Sequence, residues 1–299
     1  MADKIIQTQK REARSPGAAF ALSLFFTGLG QMYNGDLAKG AVFLLLRTAA
    51  LLAAPAAMVT RDLPSGIVPV ICLGAAALAI TIASPVEALV RAKTDQDLPV
   101  RRYNSVIAHG GYAVFTTIVT AVSVLVLAAF FNTGRVTDSR GEPLLERGDI
   151  VLIYRYAPDG YRRGDLVFLR DGSVGRVMAL PGDMVRYDKN IFYVNGRILP
   201  LGYLADDFIG SFSKDRSDVL SEMNDTRKYP VRFRQSPEVT LRIMPLLVAR
   251  GNLLVAADSR LKRDFARTVM ADEVYGRVEG VLFSSYFRRI GKDACGNLK

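Results

Sequence analysis

Arg147-Gly148-Asp149-Ile150-Val151-Leu152-Ile153 and Arg163-Gly164-Asp165-Leu166-Val167-Phe168-Leu169 repeat one pattern, and Gly175-Arg176-Val177-Met178-Ala179-Leu180-Pro181-Gly182-Asp183 closes the stretch. Gly-Asp supplies a turn and the β-branched, apolar run behind it supplies a strand, so each unit predicts a turn leading into a strand of one sheet. Beyond it, Ile191-Phe192-Tyr193-Val194, Asn195-Gly196 and Arg197-Ile198-Leu199 form a two-residue hairpin signal. Further strands are predicted at Val239–Ile243 and Asn252–Val255. Residues 205–237 are polar, with Ser211, Ser213, Ser217 and Ser221 among charges, and read as a surface insertion with at most a short helix.

Working towards the N-terminus, the composition changes. Half of the 299 residues are hydrophobic, and the apolar ones crowd into residues 17–131. Three stretches predict transmembrane helices: Ala41–Val59, Gly66–Leu89 and Ile107–Phe131. A fourth, Gly17–Met32, has about sixteen residues, short of the ~20 that cross a bilayer. The chain therefore divides into an α-helical membrane domain, residues 1–134, and a mainly-β domain, residues 135–299. Asn132–Glu142 is polar and reads as the exit from the membrane.

Lys4, Lys10, Arg11 and Arg14 precede the first apolar stretch, and Arg91, Lys93, Arg101 and Arg102 fall between the second and third spans. If Gly17–Met32 is re-entrant or interfacial, both basic groups share the cytoplasm and the β domain lies on the outer face of the cytoplasmic membrane. Arg47 and Glu87 are the charges within or at the end of spans. Few other polar residues line them, and Arg47 reads as packing against a partner helix rather than as part of a transport path. The net charge of +10 fits the membrane better than nucleic acid, since aromatic and basic residues do not interleave. Two cysteines, Cys72 in a span and Cys295 in the tail, predict neither a disulfide nor a thiolate metal site, and no cofactor is expected. The single histidine, His109, reads as an interface residue and leaves none for a Ser-His-Asp site.

In order along the chain, Pro143-Leu144-Leu145-Glu146-Arg147-Gly148-Asp149, then Arg176-Val177-Met178-Ala179-Leu180-Pro181-Gly182-Asp183, then Asp258-Ser259-Arg260 resemble the boxes of the type I signal peptidase family, the S26 serine peptidases. The resemblance covers residues 136–287 and implies the fold through Pro143, Gly148, Asp149, Arg176, Pro181, Gly182, Asp183, Asp258 and Arg260. Glu273-Val274-Tyr275-Gly276-Arg277-Val278 matches the closing strand.

The chemistry-bearing positions depart from the pattern. The resemblance puts the nucleophilic serine at Arg140, with Ser139 the candidate one residue early, to be brought into register by a one-residue bulge. It puts the catalytic lysine at Gly175 and a lysine-supporting serine near Arg263. Lys189, Lys214, Lys228, Lys262, Lys292 and Lys299 are the substitutes available in this half, and Lys262, between basic neighbours, is the first to consider. Asp258 and Arg260, two apart, read as a structural ion pair or turn.

Gly28-Leu29-Gly30-Gln31-Met32-Tyr33-Asn34-Gly35, with Lys39-Gly40 beyond, is similar to the loop of TM2-type membrane hairpin domains. Its glycines read as close-packing or turn residues. Three functions are then open. The protein keeps a groove for signal peptides or other extended peptides and has lost the chemistry. It is a serine endopeptidase that removes signal peptides, with an atypical base. Or the membrane half is the working part, as a channel or assembly subunit.

Overall fold

The computed structural model describes residues 11–59, 67–95, 97–155, 160–203, 219–233, 243–262 and 264–285. The chain forms two compact units, residues 1–57 with 69–128, and residues 58–68 with 129–299.

The first unit runs β1 (Arg11–Glu12), α1 (Pro16–Phe25), α2 (Leu29–Tyr33), α3 (Leu37–Val59), α4 (Ile67–Thr94), β2 (Leu98–Pro99) and α5 (Val106–Phe130). Three helical stretches, Leu37–Ala57, Val68–Thr94 and Val106–Phe130, are long and apolar enough to cross a membrane. Ser15 caps α1 by accepting from the Ala18 amide at 3.3 Å, with Pro16 as its first residue. The Ser15 amide donates to the Tyr33 hydroxyl at 3.3 Å. The start of α1 thus sits beside the end of α2, so residues 15–33 fold back on themselves.

The turn between α1 and α2 depends on glycine. Gly28 has φ +92, and a Cβ there would collide with the Gly40 carbonyl and the Tyr112 hydroxyl; at Gly30 it would collide with the Ala19 carbonyl. These glycines let backbones touch, as the sequence predicts. The expectation that few polar groups line the helices is corrected. Gln31 Nε2 donates to the Ser84 carbonyl at 2.6 Å and to Glu87 at 3.1 Å, Ser23 donates to Gln31 Oε1 at 2.8 Å, and Lys39 pairs with Glu87 at 2.7 Å. Arg47 donates to Thr27 and Thr120 at 3.0 and 3.2 Å. The Gly28 and Gly30 amides of the folded-back segment donate to the Ser84 and Ser23 hydroxyls at 3.2 and 3.0 Å, so side chains satisfy backbone groups that no helix pairs.

In the second unit the strands are β3 (Phe131–Arg135), β4 (Ile150–Tyr154), β5 (Leu166–Leu169), β6 (Val174–Ala179), β7 (Met184–Asp188), β8 (Ile191–Val194), β9 (Arg197–Ile198), β10 (Leu201–Gly202), β11 (Val219–Asn224), β12 (Arg227–Arg232), β13 (Ile243–Leu247), β14 (Asn252–Ala256), β15 (Ala266–Met270) and β16 (Val274–Phe283). A seven-stranded antiparallel sheet has the order β15-β14-β6-β5-β16-β4-β3; a second sheet runs β13-β7-β8-β9 and a third β10-β11-β12. One core joins Val136, Leu144 and Leu145 to Val151, Ile153, Leu166 and Val278. Another packs Met178, Tyr187 and Phe192 with Leu254 and Phe265.

Each Gly-Asp pair closes the same four-residue turn. Asp149, Asp165 and Asp183 donate backbone N–H to the carbonyls of Glu146, Arg162 and Leu180 at 3.1, 3.1 and 3.0 Å. Their carboxylates accept from the amides of those same residues at 2.9, 2.7 and 2.7 Å. Gly148, Gly164 and Gly182, at φ +100, +84 and +90, occupy the left-handed third position that a type II turn demands. The Asn195-Gly196 hairpin is present too, with φ +52 and +77 and Val194 paired to Arg197.

Two sequence expectations are corrected here. Residues 131–135, assigned in part to the last span and in part to a linker, are an edge strand paired to β4, with Gly134 pressed against Ile153 and Phe168. Within the stretch read as a surface insertion with at most a short helix, residues 219–232 form the β11–β12 hairpin, and Tyr229 and Val231 have 0% exposure. Glu222 and Arg227 face inward onto Arg260 and Asp165, which hid its two-residue period. Ser221 is buried in β11; Ser211, Ser213, Ser217 and residues 239–242 lie outside the described residues.

Candidate functional site

The three boxes converge around β6. Pro143 lies within a turn in which the Leu145 amide donates to the Gly141 carbonyl at 2.8 Å, and buried Leu144 and Leu145 anchor it. A Cβ on Gly141 would reach Val174 Cγ2 at 2.9 Å, so this loop lies against the start of β6. The Ser259 amide donates to the Arg140 carbonyl at 3.1 Å, which ties the Asp258-Ser259-Arg260 box to the same loop. Arg260 N and the Asp258 carbonyl bond Arg232 of β12 on the other side, at 2.8 and 2.9 Å.

Residues 258–262 form a turn, as one of the two readings had it, but Asp258 and Arg260 do not pair with each other, which corrects the other. Arg176 holds Asp258 through two hydrogen bonds, stacks 4.0 Å over the Tyr229 ring, and donates to the Gly164 carbonyl at 2.9 Å. Arg260 pairs with Glu222 through Nη1 and Nη2 at 2.8 and 2.5 Å, and Tyr229 donates its hydroxyl to Glu222 at 2.9 Å. Asp258 and Arg260 both lie beyond the end of β14, and each finds its partner on a different element, Asp258 on β6 and Arg260 on β11. Burial pushes the Tyr229 hydroxyl well up from its ordinary value and keeps it a donor. Asp183 is held by Arg163 at 2.7 and 2.8 Å and by Asn195 at 2.7 Å.

Where the resemblance places the nucleophile, Arg140 is bound to Asp138 at 3.2 Å and Asp264 at 3.1 Å. Burial pushes the Asp138 carboxyl up, against the pull of the Arg140 amide and guanidinium. Where it places the lysine, Gly175 faces Val255: a Cβ on Gly175 would overlap Val255 Cγ1. The volume a side chain would need is already filled from β14. Ser139 is partly buried and lines a cavity of about 70 Å³ together with Arg140, Ser259, Lys262 and Asp264. Lys262 is exposed, unlike the dry setting that a lysine base requires. Lys189 is exposed and Lys228 partly so; Lys214, Lys292, Lys299 and Arg263 lie outside the described residues. A cavity of about 460 Å³ lies elsewhere, between the β8–β9 hairpin and the β11–β12 turn, lined by Arg163, Asn195, Arg197, Met223 and Asp225.

A family model described as signal peptidase, peptidase S26, matches residues 109–283. The chain belongs to the S26 signal peptidase family. Signal peptidase I of Streptococcus pneumoniae serotype 4 is 33% identical over 92 residues, 29% of this chain and 44% of that protein. Signal peptidase I of Bacillus licheniformis is 29% identical over 99 residues, 30% of this chain and 52% of that one. The chain thus spans about half the length of these curated relatives. The crystal structure of a signal peptidase I from Enterococcus faecalis V583 matches with a TM-score of 0.21 at 24% identity, over 39% of this chain and 95% of that one.

Within this S26 member, Glu222, Tyr229, Arg163 and Val255 are the site-bearing residues that sequence reading missed. The turn Asn224-Asp225 between Val219-Leu220 and Tyr229-Pro230-Val231 was a signal for the hairpin that carries the first two.

Proposed function

We propose that this S26 family member is a membrane-anchored protein that binds extended peptides without cleaving them. The observation that carries this reading is Val255 standing where a side chain on Gly175 would go. A Ser-Lys site needs a buried amine beside its serine, and here that volume is hydrocarbon. Arg140, held by two carboxylates, occupies the nucleophile's place. Strand β15 ends the seven-stranded sheet next to the cavity that Phe265 and Ser139 line, so an extended peptide adds to its free edge through main-chain hydrogen bonds. The membrane is the cytoplasmic one, with the β unit on its outer face. The test is a labelled precursor peptide with a small-x-small site, mixed with the purified full chain in detergent. Saturable anisotropy without new fragments is expected, unchanged in Ser139→Ala.

A second reading is favoured by one observation, that Ser139 and Lys262 share a cavity: a serine peptidase with Lys262 as base. Fragments that disappear in both Ser139→Ala and Lys262→Met would establish it and end the first reading.

A further inference from the structure

At the end of the helical unit where the chain folds back, the Arg14 guanidinium lies 5.0 Å over the Tyr33 ring. His109, in the first turn of α5, approaches the same ring at 6.1 Å between centroids. Tyr33 is fixed: its hydroxyl accepts from Ser15 and its carbonyl from Asn104 at 3.0 Å, while its ring packs on Ala19, Ala88 and Ala92. Arg14 and His109 are close enough to act on each other's charge. Yet Arg14 Nε and Nη2 and His109 Nε2 are all shielded from solvent without a hydrogen-bond partner among the described residues. Nε–H and Nη2–H are the parallel pair on one edge of a guanidinium, spaced for two oxygens of one oxyanion. Two shielded polar groups beside one ring call for a shared partner, because buried polar groups left unpaired are costly.

The geometry points to a phosphate oxyanion site at Arg14, Tyr33 and His109, whose ligand is the headgroup phosphodiester of an anionic lipid. Arg14 takes two oxygens, and His109, taking up a proton as the anion binds, donates from Nε2 to a third. The lipid is favoured over free phosphate by place, since the starts of α1 and α5 mark one end of the three long apolar helices, the level at which headgroups sit. Lys93 in the last turn of α4, and Arg101 and Arg102 between α4 and α5, add to the attraction. The inference stands apart from the peptidase question, for it uses none of the S26 boxes.

Native mass spectrometry of the full chain in detergent, titrated with phosphatidylglycerol, oleate or inorganic phosphate, tests it. Wild type should retain phosphatidylglycerol over oleate, and Arg14→Gln should lose about tenfold in lipid affinity. Arg14→Lys keeps the charge without the fork and should fall between; His109→Gln should weaken binding as well. Inorganic phosphate that displaces the lipid would assign the same oxyanion chemistry to the free ion, and failure to displace it would assign it to the headgroup. Equal retention of oleate, or wild-type lipid retention in both Arg14→Gln and His109→Gln, overturns the site. Should Arg14→Gln melt early, Arg14→Lys and His109→Gln decide the outcome, and wild-type lipid retention in both of those overturns the site equally.

Discussion

Arg176 and Asp258, 82 residues apart, meet through Nε–Oδ1 at 2.8 Å and Nη2–Oδ2 at 2.6 Å, with side chains 0% and 1% exposed. A pair so dry is costly to break from one side. Asp258→Ala leaves a guanidinium without its counter-charge and should destabilise the β unit by about 3–5 kcal/mol, read from thermal unfolding in detergent. Arg176→Met with Asp258→Leu should cost far less than the sum of the single changes.

Gly175 and Val255 should be coupled in the opposite sense. Gly175→Ala alone overpacks the sheet by about 1–3 kcal/mol, and Val255→Ala alone leaves a small cavity. The double variant should recover most of both losses in a double-mutant cycle. Gly175→Lys should yield no peptidase whether or not Val255 is trimmed, because Arg140 still fills the serine's place; cleavage by Gly175→Lys alone would show Ser139 correctly placed.

The turn glycines give a graded series. A side chain at Gly182 meets open space, so Gly182→Ala should cost only the left-handed backbone, about 1–2 kcal/mol. At Gly164 the added Cβ also meets Arg227 Cβ at 2.9 Å. Gly164→Ala should therefore be the worse of the two in the same melting assay.

Acid should loosen the β unit through its turn carboxylates. Burial pushes the Asp171 carboxyl up, but hydrogen bonds from Ser173 and Arg267 outweigh it and bring it to about 2. Asp183 is likewise held below the ordinary range, with burial opposed by Arg163, the Leu180 amide and Asn195. A carboxylate whose folded value is depressed adds stability above its unfolded value, about 3.9, and loses it as pH falls from there towards about 2. The melting temperature should drop through that window. Asp183→Asn should flatten the drop more than Asp171→Asn, whose ion pair is half exposed and screened.

In the proposed orientation, residues 15–33, whose ends meet at Ser15 and Tyr33, add no net crossing, and three spans would leave the two ends of the chain on opposite faces. A fluorescent protein fused after Lys299 should stay dark while alkaline phosphatase at the same place is active. Bright fluorescence would reverse the proposed orientation.

The Gly-Asp turns, the Asn195-Gly196 hairpin and the three long helices were legible because each is set by residues within one turn or one helical period. The β11–β12 hairpin was not, since Glu222 and Arg227 look like surface residues until Arg260 and Asp165 are brought to them from distant parts of the chain. The filling of Gly175 by Val255 was invisible for the same reason: an absent lysine shows in the sequence, but what occupies its volume does not.

The three matching Gly-Asp corners also bear on the order in which this unit assembles. Each closes on contacts three residues apart, at almost no loop-closure cost, whereas the Arg176–Asp258 and Arg260–Glu222 pairs must wait for segments 82 and 38 residues away. The chain therefore sets the starts of β4, β5 and β7 locally, and the dry ion pairs come last, as locks on an arrangement already chosen. Late consolidation around Arg176 is the kinetic signature expected of this architecture.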